Sequence, residues 1–172
     1  MNAKLAPIFT RRSVRRYSGE TVTDAEIRDL LEAAMAAPSA CAKDPWHFIV
    51  VRGRAALDKM ADVLPNGPML RQADAAIVVC GDLARAHRSL ESYLIQDCSA
   101  AVENILLAAT TLGLGACWLG VHPNEERMTP LRLQLGVPAA ILPFAAIALG
   151  RPTEFPEPRT RFRAEAVHAG AW

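Results

Sequence analysis

Residues 92–112 read SYLIQDCSAAVENILLAATTL, and this stretch predicts the element around which the rest of the chain folds. Alanine and leucine favour an α-helix, and the apolar side chains would point in almost every direction around its axis. A helix with that pattern has to be buried on most sides. Gly113 and Gly115 would end it. We therefore expect a long central helix that is covered by the other elements.

Strand-like and helix-like segments alternate on both sides of this helix. Thr23 and Glu26 have the spacing of a capping box, which predicts that a helix begins there and stops before Pro38. Strands are predicted at 46–51, 75–80, 116–121 and 144–149, and shorter helices at 55–64 and after Pro123. Taken alone, this alternation favours a parallel sheet.

Composition and charge narrow the class of protein. The 172 residues fit one domain, and the formal net charge of +1 argues against a general nucleic-acid binder. No apolar run reaches the roughly 20 residues of a membrane span, and the first residues do not read as a secretory signal. The four cysteines have neither metal-site nor disulfide spacing, and Cys80 and Cys117 are expected to be core thiols. We expect a cytoplasmic protein with no membrane, nucleic-acid or metal partner.

Residues 11–17 read RRSVRRY and place four arginines within six positions. Like charges this close repel one another, and an anion bound among them would offset that repulsion. The planar guanidinium suits a phosphate, and the Ser13 hydroxyl can complete such a site. For the segment taken by itself, a solvated basic turn is the alternative.

Familiar catalytic signatures do not accompany this cluster. Gly113 and Gly115 follow a predicted helix and open a strand, which is the reverse of a dinucleotide-binding fingerprint. No Gly-x-Ser-x-Gly motif is present, and the histidines are scattered. Asp97 lies inside the central helix, where a buried carboxylate needs a partner. We therefore expect no catalytic side chain, and chemistry that resides in a bound phosphorylated cofactor.

A set of short motifs spread over the whole chain resembles the FMN-dependent nitroreductase family, and in particular its short, single-domain members. In order, the motifs are Arg11-Arg12-Ser13-Val14-Arg15, Pro38-Ser39-Ala40, Pro45-Trp46-His47-Phe48, Gln96-Asp97-Cys98, Glu103-Asn104, residues 113–120, Pro143-Phe144, Gly150-Arg151-Pro152, Arg161-Phe162 and Val167-His168. Each motif is short, but their order and spacing together are specific.

The resemblance implies an α+β fold with a mixed β-sheet flanked by helices, in place of a parallel sheet. It implies one flavin-binding domain over residues 1–172, in which residues 151–172 form an extended C-terminal arm. It also implies an interlocked homodimer. The two arms would be exchanged between the subunits, and two FMN sites would lie in the subunit interface.

The resemblance also assigns residues to FMN, and these are Arg11, Arg12, Ser13, Arg15, Pro38, Ser39, Ala40, Asn66, Trp118, Leu119, Gly120 and Arg161. Residues 11–13 would hold the phosphate and the nearby ribityl chain, and Arg15 would face the pyrimidine edge, where its charge stabilises the anionic reduced flavin. Arg161 of the arm would close on the phosphate. Its neighbours Arg159 and Arg163 could take that place.

The remaining family contacts concern the flavin ring. Residues 38–40 would come from the second subunit and line the ring. Residues 118–120 would follow the ring edge, with the Gly120 N–H near N5, and Asn66 would face the pyrimidine. The family commonly has asparagine where this chain has Ala42 and glutamine where it has Asp44. Asp44 would disfavour acidic substrates if it faces the pocket.

The function implied by the resemblance is an FMN-dependent NAD(P)H oxidoreductase. Hydride would pass through flavin N5, by a ping-pong mechanism, to a nitroaromatic, a quinone or a similar small acceptor. One alternative is a non-catalytic flavin-binding module that acts as a sensor or an assembly component. Another is an anion-binding dimer without flavin.

Overall fold

The computed structural model describes residues 2–172. Its helices are α1 (Ala6–Thr10), α2 (Asp24–Met35), α3 (Arg54–Val63), α4 (Glu91–Thr111) and α5 (Glu125–Leu135). Its strands are β1 (Trp46–Arg52), β2 (Ala75–Asp82), β3 (Gly115–Gly120) and β4 (Ile141–Gly150). The predicted α+β class is confirmed, and the helices and strands expected from the sequence are all present.

The four strands form one sheet in the order β1-β2-β4-β3, and every neighbouring pair is antiparallel. The parallel arrangement favoured by the alternation of elements is therefore wrong. Alternation fails here because a helical connection can return the chain to either side of a strand and in either direction. Within residues 2–172, the isolated bridge between Ser13 and Ala116 at the outer edge of β3 is parallel.

Helices α2 and α4 cover one face of the sheet. The predicted central helix is α4, and Ala101, Val102 and Ile105 on it are fully buried. At the start of α4, Leu94 packs directly on Gly81 of β2, where an added Cβ would lie 2.7 Å from Leu94 Cδ1. The close approach of helix and strand therefore depends on a glycine. This layer fixes α4 across the sheet.

Helices α3 and α5 cover the opposite face. Leu57 and Met60 of α3 and Leu131 of α5 are buried there, together with Cys80 and Cys117. The two thiols are core residues, as predicted. Burial raises the pKa of the Cys80 thiol to about 12. Because helices cover both faces, the central strands β2 and β4 carry nearly continuous apolar sequences.

Tyr17 fastens the arginine-rich segment across one end of the sheet. Its hydroxyl donates to the Val14 carbonyl oxygen at 2.9 Å and to the Ala148 carbonyl oxygen at 3.3 Å. An added Cβ at Gly115 would lie 2.7 Å from Val14, and one at Gly150 would lie 2.7 Å from Tyr17. Gly115 is therefore required for close packing, and the Gly113–Gly115 pair needs no role in dinucleotide binding.

The chain after Gly150 leaves the sheet and runs over the surface. The Ser18 N–H donates to the Arg151 carbonyl oxygen at 2.9 Å, so the segment begins beside Tyr17. Farther on, Phe162 and Trp172 are almost completely exposed. None of the helices in residues 2–172 has the length and apolar character needed to cross a membrane.

Candidate functional site

A cleft of about 440 Å³ lies where the arginine-rich segment meets the C-terminal arm. Its lining residues come from α1, the following segment and the arm: Ile8, Phe9, Arg11, Arg12, Ser13, Arg15, Arg159, Thr160 and Arg161. The structure therefore brings together the three predicted phosphate-end residues Arg11, Arg12 and Ser13 and the predicted Arg161, which is far away in sequence. Arg15, which was predicted for the pyrimidine edge, lines the same cleft.

The cleft carries a large excess of positive charge. Arg11 Nε lies 3.2 Å from Glu103 Oε1, and Arg12 donates to the Glu157 carbonyl oxygen. Among residues 2–172, no carboxylate lies within 4.0 Å of the guanidinium of Arg12, Arg15 or Arg161. A concave surface with several unneutralised guanidinium groups is suited to a phosphate dianion.

The geometry also distinguishes Arg159, Arg161 and Arg163, the three candidate arginines of the arm. The Arg159 N–H donates to the Phe9 carbonyl oxygen at 3.1 Å, which holds the arm against α1. Arg159 and Arg161 both line the cleft, and Arg163 does not. Arg163 instead lies 4.0 Å from Glu165 within the arm. Arg159 therefore stands beside Arg161 as a candidate anion ligand.

The outer edge of β3 leads away from this cleft. The Val14 N–H donates to the Ala116 carbonyl oxygen at 3.0 Å, so the main-chain groups of Ala116 point away from β4. In an antiparallel strand, every second residue directs its N–H and C=O to the same side. The main-chain groups of Trp118 and Gly120 therefore also face this edge.

Gly120 marks the far end of that edge, and two side chains bind its carbonyl oxygen. Asn66 Nδ2 donates to it at 3.2 Å, and a guanidinium nitrogen of Arg127 on α5 donates to it at 2.9 Å. Asn66 Oδ1 is buried and has no hydrogen-bond partner among residues 2–172. Such an acceptor fits a ligand that carries an N–H donor.

The side chains of residues 118–120 play different parts. Trp118 is half-buried, and its ring centroid lies 6.0 Å from that of Phe144. Leu119 is buried in the α3 and α5 layer, and its methyl group contacts the loop at Gly67. The predicted contact of Leu119 with the flavin is therefore not supported by its side chain, which is buried, or by its main-chain groups, which face β4. Arg127 was not predicted, because nothing in its local sequence distinguishes it from a solvated helix residue.

The two ends of the site are separated by the length of β3. Gly115 and Gly120 are five residues apart, which corresponds to roughly 17 Å along a strand. A ligand that spans this distance would place an anionic end among the arginines and a hydrogen-bonding end at Gly120 and Asn66. The arrangement therefore favours an elongated, phosphorylated ligand over a small free anion.

The loop of residues 38–44 lies apart from this cleft and is tightly organised. The Ala40 N–H donates to Asp97 Oδ1 at 2.9 Å, which gives the buried Asp97 the partner that the sequence required. Ser39 Oγ donates to Asp44 Oδ1 at 2.5 Å, and Cys41, Ala42 and Asp44 have left-handed backbone conformations. Pro38, Ser39 and Ala40 are not among the cleft-lining residues of their own chain.

Fold and site together define an α+β protein with a cationic cleft joined to a free strand edge, as expected for a phosphorylated-cofactor protein. Comparison with known proteins identifies the family. The chain matches the Nitroreductase family over residues 8–67 and 63–151. It belongs to that family, so the resemblance seen in the sequence motifs is confirmed.

Similar proteins span the whole chain. A protein of Archaeoglobus fulgidus, provisionally named NADH dehydrogenase/NAD(P)H nitroreductase, is 48% identical over 100% of both chains. The crystal structure of a protein with the same provisional name from Bacteroides thetaiotaomicron has a TM-score of 0.93 and 43% identity, over 100% of this chain and 99% of the other. A provisionally named nitroreductase from Desulfovibrio desulfuricans, solved in complex with FMN, has a TM-score of 0.85 and 35% identity, over 100% and 99%.

Proposed function

We propose that the chain is an FMN-dependent NAD(P)H oxidoreductase that reduces a nitroaromatic, a quinone or a similar small acceptor. The observation that carries this proposal is the placement of two complementary groups at opposite ends of β3. An unneutralised arginine cleft lies at one end, and the free main-chain edge at Gly120 lies at the other. Family membership and the FMN-bound relative support the same cofactor.

The arginine cleft would hold the phosphate of FMN. Arg11, Arg12 and Ser13 come from the segment after α1, and Arg161 comes from the arm. A hydrogen bond to a charged group contributes about 1.5–3 kcal/mol, so several guanidinium groups acting on one dianion can account for retention of the cofactor. Ser13 is exposed and lines the cleft, so its hydroxyl can reach a phosphate oxygen.

The other end of the site would hold the ring. The Gly120 N–H would donate to a ring nitrogen, and the buried Asn66 Oδ1 would accept from the pyrimidine N–H. Arg15, which lines the arginine cleft, would reach toward the pyrimidine edge from that side. When bound, FMN would supply the hydride chemistry at N5. The residues of this chain would bind the cofactor, orient it and limit the access of water.

One open edge implies that NAD(P)H and the acceptor use the same place in turn. The outer side of β3 ends at Gly120, and the core closes the inner side, where Leu119 is buried. A second substrate would therefore have to wait until the first has left. A shared place of binding supports a ping-pong mechanism, which steady-state rates would report as parallel lines in double-reciprocal plots.

The proposal includes a homodimer in which the arm of residues 151–172 embraces the partner and residues 38–40 of one chain cover the ring bound by the other. The exposed aromatic rings of the arm support it, because Phe155, Phe162 and Trp172 have no covering surface within residues 2–172. The hydrogen-bonded loop of residues 38–44, which does not line the cleft of its own chain, also supports it.

An anaerobic titration tests the function. The purified protein should be yellow after incubation with FMN, and NAD(P)H should bleach it without oxygen. A quinone or a nitroaromatic compound should then restore the yellow colour by taking two electrons from the reduced flavin. A colourless protein that retains no FMN would contradict the proposal.

A non-catalytic flavin-binding module is the second candidate. The observation that favours it is the replacement of the two family amides by Ala42 and Asp44. Ala42 has no amide, and the Asp44 carboxylate accepts a hydrogen bond from Ser39. The same titration separates the two functions. A yellow protein that NAD(P)H does not bleach would be a flavin-binding module.

A further inference from the structure

The Gly120 carbonyl oxygen accepts two side-chain hydrogen bonds. It belongs to the peptide group that follows Gly120, and the proposed ring-binding N–H belongs to the peptide group that precedes it. Asn66 reaches the carbonyl oxygen from the loop after α3, and Arg127 reaches it from the first turn of α5. The peptide groups on either side of Gly120 both involve a residue without a side chain, so local sterics hold them weakly. Two donors that converge from different segments restrict the rotation of this part of the chain.

The guanidinium of Arg127 makes no other polar contact within the described part of the chain. No carboxylate lies within 4.0 Å of its guanidinium among residues 2–172, and its one hydrogen bond is the 2.9 Å contact with Gly120. The side chain is half-buried. Unlike Arg132, which binds carbonyl oxygens outside β3, Arg127 directs its guanidinium at a residue of the proposed ring-binding edge.

Building on the proposed function, we infer that Arg127 is a positioning residue for hydride transfer. Its guanidinium holds the peptide group that follows Gly120 and so limits the φ and ψ rotation by which the Gly120 N–H could turn away from the flavin side of the β3 edge. It also keeps a positive charge beside that end of the site. Loss of Arg127 would therefore impair the reduction of bound flavin more than the binding of FMN, whose phosphate lies at the other end of β3.

Arg132 provides a matched control on the same helix. Its guanidinium also binds main-chain carbonyl oxygens, those of Pro138 and Ile141, at 2.5 and 2.6 Å. Both carbonyls lie outside β3. Arg132→Ala therefore removes the same kind of contact from α5 without touching Gly120, and it shows what a purely structural loss does.

The experiment compares the wild-type protein with Arg127→Ala, Arg127→Lys and Arg132→Ala. Without any turnover, NMR relaxation should show that Arg127→Ala lowers the order parameter of the Gly120 amide from about 0.85 to below about 0.6, whereas Arg132→Ala leaves it unchanged. With flavin bound at full occupancy, the rate of anaerobic reduction by NAD(P)H should fall about tenfold in Arg127→Ala, the scale of one charged hydrogen bond. Arg127→Lys should restore part of the order parameter and part of the reduction rate.

The outcomes separate this inference from the function on which it rests. If the wild-type protein is bleached normally and Arg127→Ala behaves like Arg132→Ala in both measurements, the inference is wrong and the function stands. A wild-type protein that takes up no FMN would overturn both. A double-mutant cycle gives a further check. If both side chains act on one carbonyl, the fold-loss of the reduction rate in the double variant Arg127→Ala/Asn66→Ala should be smaller than the product of the two single fold-losses.

Discussion

The two ends of β3 are built in different ways. At the Ser13 end, positive charge is concentrated on exposed segments. Among residues 2–172, one carboxylate, that of Glu103, lies within 4.0 Å of the five arginines of the cleft. At the Gly120 end, a main-chain group is held by two side chains above a fully packed core, in which Leu119 is buried. The first end can provide affinity, and the second can provide orientation.

This difference indicates which end of the site should determine ligand specificity. Charge attraction is long-ranged and tolerant of position, so the arginine end would accept many phosphorylated compounds. Hydrogen bonds at a fixed peptide are short-ranged and directional, so the Gly120 end would discriminate among the groups attached to that phosphate. Variants at the two ends should therefore have separable effects on binding and on reactivity.

Removal of residues 152–172 should have the largest effect. The truncation deletes Arg159 and Arg161 from the cleft and also the exposed Phe162 and Trp172, so the dimer and the flavin should be lost together. Sedimentation and flavin absorbance of the purified protein measure both. A yellow, intact dimer without these residues would show that the arm is not exchanged.

Arg11→Ala should specifically damage the phosphate end. FMN binding should weaken by about 1.5–3 kcal/mol, or roughly 10- to 100-fold, because a charged hydrogen bond to the dianion is lost. Riboflavin, which lacks the phosphate, should bind as before. Arg163→Ala is the matched control, since Arg163 lies outside the cleft. Equal losses for FMN and riboflavin would place Arg11 elsewhere in the site.

No single acid or base should be indispensable. The strongest candidates are His47, Asp97, His122 and Cys41, but Asp97 binds the Ala40 N–H and His122 Nε2 lies 3.3 Å from Glu91. Alanine at each position, or serine at Cys41, should lower the rate per bound flavin by less than the roughly 10²-fold loss typical of a general acid or base. A larger loss at full FMN occupancy would give that residue a catalytic role.

Glu103→Ala should have the smallest effect, and it should have the opposite sign. Removing this carboxylate frees Arg11 from its 3.2 Å ion pair and raises the net charge of the cleft. FMN should bind more tightly by less than about 1 kcal/mol, the range of partly exposed pairs, and the gain should shrink as salt is added. Fluorescence titrations at low and high salt measure the difference. Weaker binding would mean that Glu103 orients Arg11 productively.

The outline of the fold was predictable because its signals are local. The capping box at Thr23 and Glu26 forms as expected, with the Thr23 N–H bound to Glu26 at 2.8 Å. The apolar pattern of residues 92–112 likewise predicted α4 to within one residue at each end. The direction of the strands was not predictable, because it depends on how the connections pass over the sheet.

The sequence by itself determined the helices and strands, the family and the arginine cluster, since each is encoded in residues that lie close together in the chain. The tertiary structure alone decided that Arg159 joins Arg161 in the cleft, that the Leu119 side chain is buried, and that Arg127 binds Gly120. These contacts join segments that are separated in sequence. Packing across the sheet brings them together, and no local pattern encodes that step.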